Sequence, residues 1–247
     1  AVISGDTDTT PFDKGAYASS GTYFTGNAAL RAAEDLRGKI LAAAAVRLGT
    51  VPDELRLEAG GRVVGPTGTI SLAELAHLSI QGEHHHELVG FGHFKTDHAA
   101  FPYGAQFVEL EVNRESGEVK IRRFHAWQDC GTPINPALAR GQIFGGVLKA
   151  IGHSLYEEML FDDQGRCLNP NFLDYKIPSI LEVPEDFRVE LVPVEDEEGP
   201  FGAKSVAEIA VNGAAPAIAI AIHDACGAWL REWPFTPERV LKAMGKL

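Results

Sequence analysis

The sequence predicts an α+β fold of two lobes, with long helices packed on mixed sheets, and three observations predict it. Apolar residues recur at three- and four-residue steps through residues 27–48, the signature of an amphipathic helix. Two alternating runs, residues 107–112 and 119–127, flank a turn at residues 113–117, which is the pattern of a β-hairpin. The chain has 247 residues, 45% hydrophobic and 23% charged, ample for a large buried core in one domain or two lobes.

Taken in order, residues 1–26 are rich in Gly, Ser, Thr and Asp and read as loop with one short strand. The helix over 27–48 presents Leu30, Ala33, Leu36, Ile40, Leu41, Ala44 and Leu48, with Gly38 weakening it. Leu55, Leu57 and Ala59 alternate up to Gly60-Gly61, and Arg62-Val63-Val64 returns, so a short hairpin is expected. Ser71 and Glu74 form a capping-box pattern that starts a second, short helix. After the main hairpin, Asn135-Pro136 supplies a cap and a first-turn proline for a helix to about residue 159. Its Gly141, Gly145, Gly146 and Gly152 leave one face nearly bare, so something packs closely there. A turn at 162–165, a strand over 189–194 and an acidic loop at 195–198 follow. An Ala-rich helix over 215–225 stops at Gly227, and Thr236-Pro237-Glu238 caps the last helix. Nothing in the composition marks an internal boundary, and residues 1–247 read as one domain.

Charge and cysteine usage exclude several function classes. Twenty-two Lys and Arg against 34 Asp and Glu leave a net charge of −12, which repels nucleic acid and anionic membranes. Cys130, Cys167 and Cys226 are too dispersed to build a zinc or iron–sulfur site, and their scarcity suits a reducing cytoplasm. Neither a membrane span nor a secretory signal is legible.

Four motifs bear on chemistry. Glu83-His84-His85-His86-Glu87 holds metal-ligand residue types, but adjacent side chains fan apart, and a solvated loop is the plainer reading. His93 and His98 read as structural. Asp6, Asp8 and Asp13 lack EF-hand spacing. Gly90-Phe91-Gly92 lacks the third glycine of a dinucleotide fold, and there is no Walker loop or nucleophile elbow. The fourth motif, residues 199–208, is a Gly- and Pro-containing turn that delivers Glu208 just ahead of an apolar helix. Scarce water there would raise the pKa of that carboxylate and make it a general base. The competing reading is that Glu208 caps the helix or pairs with Lys204.

Gly199-Pro200-Phe201-Gly202-Ala203-Lys204-Ser205-Val206-Ala207-Glu208, followed by Asp224-Ala225-Cys226-Gly227, resembles the closing motif of the large subunits of xanthine-oxidase-type molybdenum hydroxylases. The same family pattern is met in order at Asp6 to Pro11, Gly15 to Ser20, Asn135-Pro136, Gly141 to Gly146, Gly152 to Glu158 and Asn169 to Tyr175. The resemblance implies the second, carboxy-terminal molybdopterin-binding domain of such an enzyme. Its cofactor would be molybdopterin carrying molybdenum, with a dinucleotide form left open and no protein ligand to the metal. It implies that Glu208 is the catalytic base, and that Gln142, Gly141, Ala18, Ser19 and Gly21 meet the cofactor. Lys204 either steadies the substrate or cofactor phosphate or pairs with Glu197 or Glu198. The implied reaction is hydroxylation, with oxygen from water, of an electron-poor carbon in a purine- or nicotinate-like heteroaromatic or an aldehyde. Ala207-Glu208-Ile209 departs from the commoner Gly-Glu-Pro and is similar to the subgroup with split molybdenum subunits, which leaves the substrate open. The resemblance implies that the first molybdenum-binding lobe lies outside these residues, so another molybdopterin-binding chain or segment is expected as partner, with iron–sulfur clusters and FAD on further subunits. A non-catalytic scaffold or assembly subunit is the alternative.

Overall fold

The computed structural model describes residues 1–13, 15–81 and 88–247; the candidate loop with His84, His85 and His86 lies outside them. The described chain divides into two compact units, residues 22–98 and residues 1–21 with 99–247. Because the second unit is built from two separated stretches, no shift in composition marks the division.

In the unit of residues 22–98, helix α1 (Gly21–Leu48) packs Ile40, Ala43, Ala44 and Ala45 against a small sheet. Three alanines in succession let the helix approach closely. The sheet is β1 (Arg56–Glu58), β2 (Arg62–Gly65) and β3 (Gly68–Ser71), all antiparallel. It contributes Val63 and Ile70 to the core, which Leu55 and Leu75 complete. Helix α2 (Leu72–Gln81) starts where Ser71 Oγ accepts from the Glu74 amide at 3.1 Å, as the capping pattern predicts. Helix α1 begins six residues earlier than its apolar period, and residues 1–20 hold no strand where described. The extension is held by tertiary packing: Tyr23 is buried and meets the ring of Phe94 edge-on at 5.8 Å. Gly90 and Gly92 serve that packing too. A Cβ on either would lie about 2 Å from a carbonyl oxygen of α1, that of Ala32 or Ala28.

The other unit holds a mixed sheet. β4 (Gly104–Val112) and β5 (Val119–Gln128) form the expected hairpin, and β6 (Asp186–Leu191) joins β5 in parallel. Ile121 and Phe124 both face the core although three residues separate them. A bulge that leaves Arg122 without a register partner opposite Glu109 and Leu110 resets the alternation. Strand β6 starts three residues before the expected position. Asp186 pairs there with Arg188 at 2.8 Å, and Pro193 cannot extend the ladder.

Helix α3 (Pro136–Leu155) is capped by Asn135, whose side chain accepts from the Leu138 amide. It ends four residues short of the expected limit, where the Gly152 carbonyl takes both the Tyr156 and Glu157 amides. Helix α4 (Ile209–Asn212) leads through Gly213 into α5 (Ala214–Cys226), which stops at Gly227 in the left-handed conformation, φ 79°. Helix α6 (Pro237–Ala243) is capped by Thr236. Ile143, Val147, Ala150 and Ile151 of α3 and Ile218 and Ile222 of α5 form the core with Phe124, Ala126 and Val189 of the sheet. Residues 209–226 are long and apolar enough by composition to cross a membrane, with mean hydropathy 1.4, but the run is broken at Gly213 and carries core side chains.

Candidate active site

Glu208 occupies the residue before α4 and is exposed. Its side chain makes no capping hydrogen bond to the helix. Neither does it pair with Lys204, so the structure shows neither of the two competing roles. The partner it has comes from the far end of the sequence. Ser19 Oγ donates to Glu208 Oε2 at 3.0 Å, and the Glu208 amide donates to the same Oγ at 3.0 Å. One hydroxyl thus fixes both the backbone and the carboxylate of one residue.

Ser19 can do this because of an unusual turn. Tyr17–Ser19 is a single 3-10 turn in which Ala18 and Ser19 both adopt left-handed angles, φ 50° and 55°. Two successive non-glycine residues there store strain that the surroundings must offset. Phe201, in the Pro200–Gly202 turn that leads to Glu208, is a third such residue, φ 55°, and its ring is exposed.

The water exclusion expected around Glu208 is not supplied by the described residues, since Glu208 is exposed. Of the apolar side chains of α5, Ala214, Ile218 and Ile222 go to the core and Ile220 is exposed.

Lys204 corrects a second expectation. Its ammonium is buried and lies 2.8 Å from Asp129 Oδ2, with the two side chains 7% and 6% exposed. Glu197 and Glu198 do not take it. A Lys–Asp pair this deep satisfies a charge that burial would otherwise penalise heavily. Asp129 is also bonded through Oδ1 to the Gly131 amide at 2.8 Å. Neighbouring Cys130 is buried, and that burial, with the charge of Asp129, pushes its thiol above the ordinary range, so it stays protonated and unreactive.

The segment 128–132 lies alongside 202–206. The Lys204 amide donates to the Cys130 carbonyl and the Thr132 amide to the Gly202 carbonyl, both at 2.8 Å. Gly131, φ 65°, is required here, since a Cβ would lie 2.1 Å from the Gly202 oxygen.

The glycine-rich helix divides in use. Gly146 packs on the Glu208 segment: a Cβ there would lie 2.9 Å from Ala210 Cβ and 3.3 Å from the Ala207 oxygen. Gln142 sits one turn earlier on the same face of α3 and is exposed. Ser19 and Glu208 are thus in direct contact, and Gln142 lies on the α3 face whose next turn, at Gly146, meets the Glu208 segment. Gly141 and Gly145 are also exposed, and a Cβ on either would meet nothing within 4 Å. Gly21 begins α1, directly after the Ser19 turn. Among the described residues no group of three or more His, Cys, Asp or Glu converges to hold a metal ion.

Asp129, Gln128 and Gln106 were not legible as site residues. Their signal is spatial, because 75 residues separate Asp129 from Lys204.

The chain matches the molybdopterin cofactor-binding domain over residues 1–184 and belongs to that family. It is 54% identical over 246 residues to a probable hypoxanthine oxidase, XdhD, of Escherichia coli K12, covering all of this chain and 26% of that protein. It is 31% identical over 229 residues to the carbon monoxide dehydrogenase large chain of Afipia carboxidovorans, covering 91% of this chain and 28% of that one. Among solved structures, quinoline 2-oxidoreductase from Pseudomonas putida 86 superposes with a TM-score of 0.84 at 27% identity, over 97% of this chain and 32% of its own. The chain therefore spans about a quarter to a third of the length of the relatives it matches.

Proposed function

We propose that this chain carries the general base, Glu208, of a molybdenum hydroxylase that inserts oxygen from water at an electron-poor carbon. The observation that carries the reading is the isolation of that carboxylate. It is exposed, no cation pairs with it among the described residues, and its place is fixed by one hydroxyl at 3.0 Å. A surface glutamate serving stability alone would gain little from a strained turn holding it.

A molybdopterin suits the residues around it. The Gln142 amide both donates and accepts, matching the mixed donor and acceptor edge of a pterin. Gly141 and Gly145 leave room for a bulky flat group, and the Ala18–Gly21 turn would offer it backbone groups. When bound, the cofactor supplies the metal that makes a water-derived hydroxyl acidic and accepts the two electrons of the oxidation. Glu208 takes a proton on its free Oε1, while Oε2 stays bound to Ser19. Lys204 is committed to Asp129 and keeps the segment in place instead of touching a ligand.

Similarity to a probable hypoxanthine oxidase favours a purine among the heteroaromatic and aldehyde substrates. The water exclusion that a base needs would come from the rest of a larger enzyme, as would iron–sulfur clusters and FAD to carry electrons away.

The test compares wild type with Glu208→Gln in the full-length enzyme, which keeps shape and removes the base. Expected are equal molybdenum contents and a loss of hypoxanthine-dependent dye reduction of at least about 10²-fold, the scale of a general base. A Glu208→Gln enzyme as fast as wild type refutes the assignment. A wild type that holds no molybdenum supports the scaffold role.

A further inference from the structure

The backbone on either side of Glu208 is held by side chains of a single hairpin. Gln128, the last residue of β5 and 2% exposed, donates from Nε2 to the Val206 carbonyl, two residues before Glu208. Gln106, in β4, donates from Nε2 to the Ala210 carbonyl at 2.9 Å, two residues after it. The strand register pairs Gln128 with Gly104 and Gln106 with Ala126, so the two glutamines stand two positions apart along the hairpin and on one face. Asp129 then takes Lys204, four residues before Glu208. Gly213 leaves the space into which Gln106 reaches, since a Cβ there would lie 3.0 Å from Gln106 Cδ.

We propose that Gln106, Gln128 and Asp129 are positioning residues for Glu208, an inference that rests on Glu208 being the base. None of them touches its carboxylate. They grip the chain at residues 204, 206 and 210, so that the short stretch between cannot shift as a whole, and Ser19 sets the side chain within that frame. Helix α4 is a single turn and is too short to hold its own position. The clamp supplies the rigidity that a base needs, because a displacement of about 1 Å can cost roughly 10²-fold in rate.

The experiment uses the full-length molybdenum-loaded enzyme and the variants Gln106→Leu and Asp129→Asn. Gln106→Leu leaves the buried ion pair intact and keeps the test open where Asp129→Asn unfolds the chain. Molybdenum content and KM are expected to stay at wild-type values while kcat falls about 10–100-fold. Hydrogen exchange at amides 207–211 is expected to quicken, with the amides of α3 unchanged. Added to Glu208→Gln, Gln106→Leu is expected to cost nothing more, since the two act on one group.

Unchanged exchange in Gln106→Leu overturns the clamp, as does a loss of rate that multiplies in full with that of Glu208→Gln. If Glu208→Gln is itself as fast as wild type, the base assignment fails, and the exchange result alone decides whether the hairpin holds this segment.

Discussion

The two halves of α3 contain the same residue pattern and put it to opposite uses. In the carboxy-terminal half, Val147, Ala150, Ile151, Gly152, Ser154 and Leu155 are buried, and Gly146 and Gly152 are bare because neighbours occupy the space. In the amino-terminal half Ile143 is the only buried residue, and Gly141 and Gly145 are bare beside open space. Internal packing explains the first pair. It does not explain the second, since a glycine in an open helix position costs about 0.5–1 kcal/mol relative to alanine. That difference sets the amino-terminal half apart as open surface among the described residues.

Substitution by alanine is expected to separate the halves, with the largest effect at Gly152. A Cβ there would lie 2.3 Å from Glu157 Oε1 and 2.6 Å from two ring carbons of Pro178. The carboxylate can swing away, but the proline ring cannot. Gly152→Ala should therefore destabilise the chain by about 1–3 kcal/mol, the usual cost of overpacking, measured by denaturant unfolding. A stability equal to wild type would show that the residue 156–178 loop yields freely and would weaken the distinction.

Gly146→Ala comes next. The new methyl meets Ala210 Cβ at 2.9 Å, a milder clash, and the helix-propensity gain of about 1 kcal/mol offsets part of it. What yields is α4, immediately after Glu208, so activity is expected to fall more than stability. A net destabilisation of about 1 kcal/mol with a kcat loss of about tenfold or more is the expected signature, read from unfolding and steady-state kinetics. A variant that loses stability and keeps its kcat would separate this contact from the chemistry.

How much of this could be read beforehand depends on the range of the interaction. The elements set by local signals are where the sequence placed them: the cap at Asn135, the stop at Gly227, the Thr236 cap and the β4–β5 hairpin. Boundaries set by tertiary contact moved, as where α1 starts early beside the buried Tyr23 and β6 starts early at Asp186, which pairs with Arg188. Of the candidate site, a motif singles out Glu208 and Gln142, and both are exposed. The environment of Glu208 was not legible, because its contact with Ser19 joins residues 189 positions apart. From the sequence, Lys204 reads as steadying a ligand or pairing with Glu197, Glu198 or Glu208, acids close to it in sequence. Its partner, Asp129, is joined to it only by the fold.

The smallest effect sharpens the comparison most, because its sign reverses. At Gly145 a Cβ meets nothing within 4 Å, so Gly145→Ala should stabilise the chain by up to about 1 kcal/mol through helix propensity alone. If the space beside it receives the cofactor, the same substitution should lower the molybdenum content of the full-length enzyme, as should Gln142→Ala on the adjacent face. A protein that is more stable yet holds less cofactor is not produced by a folding defect, since a folding defect lowers both. Gly145→Ala with full molybdenum content and wild-type turnover would instead leave the open half of α3 to a protein neighbour that tolerates a methyl group, and the cofactor would have to be met through Gln142 and the Ser19 turn without it.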